Sequence, residues 1–227
     1  MAINIIDIKN QPLGILLTNF LICQHCNYVD RDMNRMRVGH PCQKCGNASP
    51  AGRSYFNHSV SSLIDLMQEF FHKDELIEST ISKTRKKRLQ NSRLAVVVYF
   101  VTLREVLLTK LLKELMIAQK IPIKIEKRLF DDNLTHKQKL DKLFPSLVGK
   151  SWNTAVKQVN ERVELDYLQV NKFLVDAVRV RNKFLHEGQK FAIKKDLAEN
   201  CIRNIGPLLS LHVSLHNDFV FPLYQEK

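Results

Sequence analysis

Glycine and proline are scarce in this chain, since each occurs only seven times in 227 residues. An all-β fold needs frequent turn residues, so this scarcity argues against one. Long hydrophobic runs are missing too: the longest, residues 94–103, falls well short of the roughly 20 residues that a membrane-spanning helix needs. The first ten residues lack the basic start and apolar stretch of a signal peptide. We therefore expect a mostly α-helical, cytoplasmic protein with no membrane partner.

Acidic residues are also fewer than basic residues. The chain has 35 Lys and Arg residues against 23 Asp and Glu residues, which gives a formal net charge of +12. The densest basic segment reads KTRKKR at residues 83–88. An excess of this size favours a polyanionic partner, and we expect RNA or DNA ahead of a membrane surface. A basic surface that only keeps the protein soluble is the alternative.

Four of the five cysteines form two C-x2-C pairs separated by 15 residues: Cys23, Cys26, Cys42 and Cys45. This spacing is typical of a zinc site with four thiolate ligands. A glycine follows the last cysteine, where the backbone often needs a positive φ. Two disulfides, or iron in the same cage, are the alternatives. Four thiolates leave no coordination position for water, so we expect a structural zinc in a β-containing zinc ribbon at residues 1–57.

Beyond the cysteines the pattern is helical, and hydrophobic residues make up 44% of the chain, enough for a core. We expect a helical basic linker at residues 58–87 and a helical bundle at residues 88–220. A loop with a short helix that stops near Pro145 and Gly149 is expected at residues 131–152. The three-and-four spacing of apolar residues predicts helices at about 58–79, 88–119, 154–187 and 193–217.

Two charged residues interrupt apolar helix faces. Glu105 lies on the stripe of the helix predicted at 88–119, and Arg181 lies on that of the helix predicted at 154–187. A buried carboxylate needs a partner, so we predict that these two residues pair across the helices. Removing one partner of a buried pair typically costs several kcal/mol, because the other charge is left uncompensated.

Four other residues are better explained as structural residues than as members of a catalytic or metal-binding site. Cys201 and Trp152 are expected in the core. His212 and His216 lie four residues apart and could ligate a metal, but no matching third ligand lies nearby in the sequence. We interpret both as ordinary helix residues.

Residues 181–188 read RNKFLHEG, late in a long predicted helix of a basic, all-α region. Arg181 and His186 form an R-x4-H motif, with Asn182 as the polar residue after the arginine. In this setting the motif resembles that of the HEPN (higher eukaryotes and prokaryotes nucleotide-binding) family, and Glu105 matches an acidic residue on the family's long first helix. The resemblance covers roughly residues 88–220. A capped helix end would explain the histidine and the following glycine, but not Arg181 on an apolar stripe.

Active members of the HEPN family are metal-independent ribonucleases that work as dimers. The resemblance implies a catalytic set of Arg181, Asn182 and His186, with Glu105 beside them. Five residues at 100° each place Arg181 and His186 about 140° apart, so two copies facing across a twofold axis would bring them together more easily than one. The histidine would take a proton from a ribose 2′-OH, and the arginine would bind the charge that grows on phosphorus.

Two functions remain open at this point. The first is an endoribonuclease whose ribbon recruits a target or a regulator, in phage defence or as a toxin, as the resemblance implies. The second is a non-catalytic nucleic-acid-binding or adaptor protein. The complete set of Arg181, Asn182 and His186 favours the first. The sequence has neither a Walker glycine loop nor a Ser-His-Asp arrangement that would suggest another enzyme class.

Overall fold

The structure of the protein is a computed structural model that describes residues 20–30, 41–47, 53–78, 83–163, 165–187 and 193–225. Within these ranges, the side chains of residues 75, 77, 78, 83–90 and 185–187 are left undescribed. The side chains of the basic segment at 83–88 and of His186 therefore lie outside the described part, as does Gly188. The described chain is mostly helical and has a small sheet near its start, as expected.

The helices are α1 (His58–Glu78), α2 (Lys83–Ala118), α3 (Ile123–Asp132), α4 (His136–Gln138), α5 (Phe144–Val148), α6 (Trp152–Asn160), α7 (Tyr167–Glu187), α8 (Lys195–Arg203), α9 (Ile205–Leu215) and α10 (Phe221–Gln225). A π-helical turn at Lys139–Leu143 joins α4 to α5, and another at His216–Val220 joins α9 to α10. None of the described helices is both long and apolar enough to cross a membrane.

α2 is the central helix, and α1, α7, α8 and α9 all pack against it. Its buried positions come in adjacent pairs that recur every three to four residues, which gives a wide apolar face on an α-helix. These pairs are Val96–Val97, Phe100–Val101, Leu107–Leu108 and Leu111–Leu112. In a strand, successive residues point to opposite faces, so two adjacent residues would not both lie on the same buried face. The adjacent buried pairs therefore indicate a helix, even though the stretch begins with β-branched residues. The helix predicted at 88–119 is confirmed and begins a few residues earlier.

The end of α2 is set by a left-handed turn. Lys120 has a φ of 58°, and the N–H of Ile121 donates to the carbonyl of Met116 at 2.9 Å. Pro122 follows with a φ of −60° and becomes the N-cap of α3. Because proline has no N–H and restricts the residue before it, α2 cannot continue through this point.

Two long predicted helices are divided in the structure. The stretch predicted at 154–187 forms α6 and α7, because Asp166 caps α7 by accepting a hydrogen bond from the backbone N–H three residues on, at 3.0 Å. The stretch predicted at 193–217 divides at Asn204, which ends α8. Pro207 lies in the first turn of α9, where it has no N–H to bond the carbonyl of the preceding turn.

The region from 131 to 152 is more helical than predicted. It contains the end of α3 and then α4, the π-helical turn and α5 in succession. Gly149 ends α5 in the left-handed conformation, with a φ of 73°, as the sequence predicted. Pro145, which was also expected to mark the stop, lies instead in the first turn of α5, where its missing N–H costs no helical hydrogen bond.

α1 is a core helix rather than part of a linker. Its apolar residues pack in the same cluster as those of α2: Val60, Ile64, Met67 and Phe71. Arg93 of α2 also donates from Nε to the almost fully buried Asp74 of α1, at 2.8 Å. Most of the stretch that we assigned to a basic linker, 58–87, therefore belongs to the helical bundle.

The sheet is small and antiparallel, with the order β2–β1–β3. Its strands are β1 (Leu21–Ile22), β2 (Val29–Asp30) and β3 (Arg53–Ser54). Phe20, Val29, Tyr55 and Phe56 lie in or beside these strands, and they belong to the same hydrophobic cluster as α1 and α2. The cysteine-bearing segment and the helices thus share one core.

Candidate functional site

The four cysteines of the two C-x2-C pairs meet at one point, and their Sγ atoms all lie within 4.8 Å of one another. Cys23 Sγ lies 3.8 Å from Cys45 Sγ, and Cys26 Sγ lies 3.7 Å from Cys42 Sγ. A tetrahedral thiolate centre with metal–sulfur bonds of about 2.3 Å has S···S edges of about 3.8 Å. The cluster therefore has a size and shape that could hold a metal ion.

The same distances exclude disulfides between these residues. A disulfide bond is about 2.05 Å long, and all five cysteines are free thiols. The disulfide alternative is therefore wrong. Across the described ranges, no other group of three or more His, Cys, Asp or Glu side chains lies close enough to hold a metal ion.

The two cysteine turns are built alike. The N–H of Asn27 donates to the carbonyl of Cys23, and the N–H of Gly46 donates to the carbonyl of Cys42, both at 2.9 Å. Each donor follows the second cysteine of its pair and has a positive φ, 62° for Asn27 and 71° for Gly46. The sequence predicted this conformation for the glycine. Asn27 was missed, although asparagine tolerates the left-handed region better than most residues.

The thiols of the cluster differ in their electrostatic surroundings. Burial raises the pKa of Cys23 and of Cys26. The backbone N–H of Asn47 lowers the pKa of Cys45. Metal ions bind thiolates, and a bound cation offsets the cost of burying their negative charge. Four sulfur donors suit zinc or iron better than magnesium or calcium.

The cysteine turns are anchored to the C-terminal end of the bundle. Asn217, in the π-helical turn after α9, accepts from the N–H of Val29 at 3.0 Å and donates to its carbonyl at 2.8 Å. The ring of Tyr28 packs edge-on against Phe221 of α10, with 5.3 Å between centroids. The side chain of Asn217 therefore pairs with β2 much as a neighbouring strand would, and it connects the cysteine cluster to the helices.

A buried hydrogen-bond network completes this anchor. Glu114 of α2 accepts from Tyr55 Oη at 2.7 Å, lies 3.0 Å from His216 Nδ1 and is paired with Lys110. Although burial alone would raise the pKa of Glu114, the hydrogen bond and charge of His216 and the charge of Lys110 bring it below its ordinary value. His216 Nε2 in turn donates to the carbonyl of Asn27 at 2.8 Å. His216 is a structural residue of this interface, which agrees with our reading that it is not a metal ligand.

The predicted ion pair between Glu105 and Arg181 is present. Arg181 Nη2 of α7 lies 2.6 Å from Glu105 Oε1 of α2. The pair is less buried than expected, since the side chains of Arg181 and Glu105 are 22% and 42% exposed. Both residues lie at the rim of the helix–helix contact, where water screens the charges. Breaking the pair should therefore cost less than it would in the core.

Asn182 and His186 belong to α7, on a different side from Arg181. Consecutive helix positions differ by about 100°, and positions four apart by about 40°, so Asn182 and His186 share a face of α7. The side chain of Asn182 makes no hydrogen bond with any described residue and is partly exposed. The side chain of His186 lies outside the described part, so its approach to Arg181 stays a prediction.

A cavity of about 570 Å³ runs along α2 beside the pair. Glu105 lines it, together with three lysines, Lys110, Lys113 and Lys139. Lys139 comes from the π-helical turn between α4 and α5, and its Nζ lies 3.4 Å from Thr109 Oγ1. Glu114 lines the cavity as well, so three lysines face two glutamates, one of which holds Arg181.

Arg104 and His136 were not selected from the sequence. Arg104 precedes Glu105 on α2 and is buried. The sequence could have indicated this, because position 104 falls on the apolar stripe between Phe100 and Leu108. A charged residue on an apolar helix face was the criterion that selected Glu105, and it applies to Arg104 as well. His136 follows a loop and begins the short α4, where no periodicity can indicate burial.

The core interpretations of Cys201 and Trp152 are confirmed, since both are buried and belong to the hydrophobic clusters. His212, which was interpreted as an ordinary helix residue, is buried as well. No family model, curated protein or solved structure matches this chain.

Proposed function

We propose that this chain is a metal-independent endoribonuclease of the HEPN type that acts as a homodimer. The observation that carries the proposal is the ion pair of Glu105 and Arg181. It holds the arginine of the R-x4-H motif at a partly exposed rim, where a phosphate can reach it. The net charge of +12 favours a polyanionic substrate, and three lysines line the cavity beside the pair.

Arg181 keeps binding capacity while it is paired. Only Nη2 bonds to Glu105, and the remaining guanidinium N–H groups make no hydrogen bond with any other residue of the described part. A guanidinium has five N–H donors, so it can bind a carboxylate on one edge and a phosphate on another. Glu105 acts as the residue that positions Arg181.

The outer face of α7 supports a dimer. Leu168 and Val175 are 45% and 56% exposed, although both are large and apolar. They lie seven residues apart, and Asn182 lies seven further on, so the three share one face of α7. Pairing of this face with a second copy would bury the apolar residues and bring the two R-x4-H motifs together.

The proposed reaction needs no metal. His186 of one copy takes the proton of a ribose 2′-OH, and the 2′ oxygen attacks the adjacent phosphorus. The bond from phosphorus to the 5′ oxygen breaks, and the 5′ oxygen takes a proton from the histidine of the second copy. Arg181 stabilises the charge on the phosphate oxygens. The products are a 2′,3′-cyclic phosphate and a 5′-OH.

We also propose that the four-cysteine centre holds structural zinc. Its closed set of four thiolates leaves no position for substrate or water, so zinc would stabilise the fold and take no part in the cleavage. The segment that carries the cysteines would recruit the RNA target or a regulatory partner.

The proposal is tested by cleavage of mixed RNA by the purified protein and by single variants. We expect His186→Ala and Arg181→Ala to lower the rate by roughly 100-fold to 10,000-fold. Arg179→Ala is the matched control, because Arg179 lies on the same helix and pairs only with Asp176 in the described part. A rate that stays unchanged in His186→Ala would refute the proposed site.

One observation favours a second candidate, a nucleic-acid-binding protein without cleavage. The pair of Glu105 and Arg181 would hold α2 against α7 even if no reaction took place. This candidate is supported if the wild-type protein binds RNA but leaves it intact in the same assay.

A further inference from the structure

Arg104 is a buried cation without a partner. It is 4% exposed, and its guanidinium makes no hydrogen bond or ion pair with any residue of the described ranges. Burial lowers the pKa of Arg104 to about 10 although the charge of its neighbour Glu105 acts in the other direction, and that carboxylate bonds to Arg181. A buried charge without a partner is costly, so such a group usually has a counter-ion.

Two imidazoles near Arg104 also have ring nitrogens without a hydrogen-bond partner. Both ring nitrogens of His136 are buried, and neither has a hydrogen-bond partner. His212 is 2% exposed, and its Nδ1 donates to the carbonyl of Leu208 at 3.0 Å. Its Nε2 is buried and without a partner as well. Three unpartnered buried nitrogens in this small region are unusual, since most buried polar groups are hydrogen-bonded.

These groups form one cluster that is contributed by four parts of the bundle. Burial lowers the pKa of His136 to about 3, and the charges of Arg104, Lys139, His212 and Arg181 add to this effect. Burial likewise lowers the pKa of His212 to about 4, with a further contribution from Arg104. The side chains come from α2, α4 and the turn after it, α7 and α9.

We propose that Arg104, His136 and His212 form an internal binding site for a phosphate group. Arg181 is paired with Glu105, and Glu114, which acts on His212, is paired with Lys110. Arg104 and Lys139 therefore remain as two positive charges for a dianion. A phosphate group has several acceptor oxygens, which would bond the guanidinium and both imidazoles. Buried water could bond the imidazoles, but it would leave the charge of Arg104 uncompensated.

Access to the site is through α4. This helix has only three residues, none of them buried, so its movement would sacrifice little core packing. Lys139, in the turn that follows, lines both the cavity and the cluster. A phosphate group would therefore enter from this cavity when His136 swings outward. The site does not depend on the ribonuclease activity, and it would remain if that activity were absent.

Binding of the anion should be coupled to proton uptake. The charges of Arg104, Lys139, Arg181 and His212 act on His136. The charge of Glu114 and the hydrogen bond to the Leu208 carbonyl also act on His212. A bound dianion favours the protonated imidazoles, which then donate from the nitrogens that now lack partners. Affinity for sulfate, whose charge is constant over this range, should therefore rise between pH 7.5 and pH 6.

The test is calorimetric titration of the full, metal-loaded chain with inorganic phosphate. We expect one phosphate per chain, and about tenfold or greater weakening in Arg104→Gln and in His136→Gln. Arg128→Gln is the control, since Arg128 is exposed on the neighbouring α3. Phosphate should raise the melting temperature of the wild type but not of Arg104→Gln. Phosphate binding that is absent, or equal in wild type and both variants, would overturn the proposal.

Competition distinguishes the source of the phosphate. A 2′-O-methyl oligonucleotide with hydroxyl ends carries only internal diesters and resists cleavage through the 2′ oxygen. If it displaces inorganic phosphate from the wild type but has no effect on residual binding in Arg104→Gln, the site holds the backbone of RNA. If only a nucleoside monophosphate does so, the site holds a terminal phosphate of a free nucleotide. Displacement by neither ligand, together with unchanged phosphate binding in Arg104→Gln, would overturn the site.

Discussion

The four-cysteine cluster and the Glu105–Arg181 pair are built in opposite ways. The cysteines come from two short turns, each of which is closed by its own backbone hydrogen bond. Glu105 and Arg181 are 76 positions apart and meet only because α2 packs against α7. The geometry of the first site therefore follows from local spacing. The geometry of the second depends on the whole bundle.

The two regions also differ in how deeply they are connected to the core. The cysteine turns are fixed to the bundle by the side chains of Asn217 and His216, and the residues of the strands beside them share its hydrophobic cluster. The Glu105–Arg181 pair lies at a rim and is partly exposed to water. We therefore expect changes at the metal centre to affect stability, and changes at the pair to affect function.

The largest expected effect is loss of the metal. Cys26→Ser should lower the bound metal to well below one per chain and lower the free energy of unfolding by several kcal/mol. Because Val29 and Tyr55 share the helical core, far-ultraviolet circular dichroism should show the helices melting at lower temperature as well. Cys201→Ala is the control that removes a thiol but keeps the metal. An unchanged metal content in Cys26→Ser would contradict the assignment of this ligand.

Dissociation of the dimer should be the next largest effect. Val175→Glu would place two like charges against each other across the twofold axis, so the protein should become monomeric at micromolar concentration and lose cleavage activity. Light scattering and the RNA assay measure the two results. Ile123→Glu is the control, since Ile123 is exposed on another helix. A fully active monomer would exclude the composite site.

A pH effect of intermediate size should come from the buried histidines. Burial lowers the pKa of His212 to about 4, whereas a histidine in the unfolded chain titrates near 6.5. Below pH 6.5 the unfolded chain binds more protons, so stability should fall as the pH falls, by up to about 1.4 kcal/mol per pH unit. Urea unfolding in buffer without phosphate or sulfate measures this slope. His212→Gln should reduce it and His58→Gln should not. Equal slopes in all three proteins would contradict the prediction.

The smallest change in stability is expected for Glu105→Gln. The pair is partly exposed, so we expect a loss below about 1 kcal/mol in the free energy of unfolding. RNA cleavage should fall much more, because Arg181 loses the carboxylate that positions it. Asp176→Asn is the control, since Asp176 pairs with Arg179 on the same helix. A large stability loss with unchanged cleavage would assign the pair a purely structural role.

The sequence predicted those features that depend on local or periodic patterns. The C-x2-C spacing predicted the cysteine cluster, and the positive φ of Gly46 was expected from the glycine itself. A charged residue on each of two apolar stripes was enough to predict the contact between Glu105 and Arg181.

What the sequence could not predict depends on packing between distant segments. Nothing in the sequence around Asn217 indicates that its side chain bonds the backbone of β2. The sequence pattern of a helix is the same whether such an asparagine is exposed to solvent or bonded to another segment. The burial of the ring nitrogens of His136 and their closeness to Arg104 depend on how the short α4 packs on the bundle, which no local pattern predicts. Capping by Asp166 divided a helix that apolar periodicity alone joined into one.

The central claim is that RNA is cleaved through its own 2′-OH at the R-x4-H motif, and end-group analysis of the products tests it most directly. A short RNA is incubated with the purified protein in the presence of a chelator that leaves the bound metal in place but removes free magnesium. We predict fragments that end in 2′,3′-cyclic phosphate and begin with 5′-OH, no fragments from the 2′-O-methyl or DNA form, and none with His186→Ala. Fragments with 3′-OH and 5′-phosphate ends, or cleavage of the 2′-O-methyl form, would contradict the account.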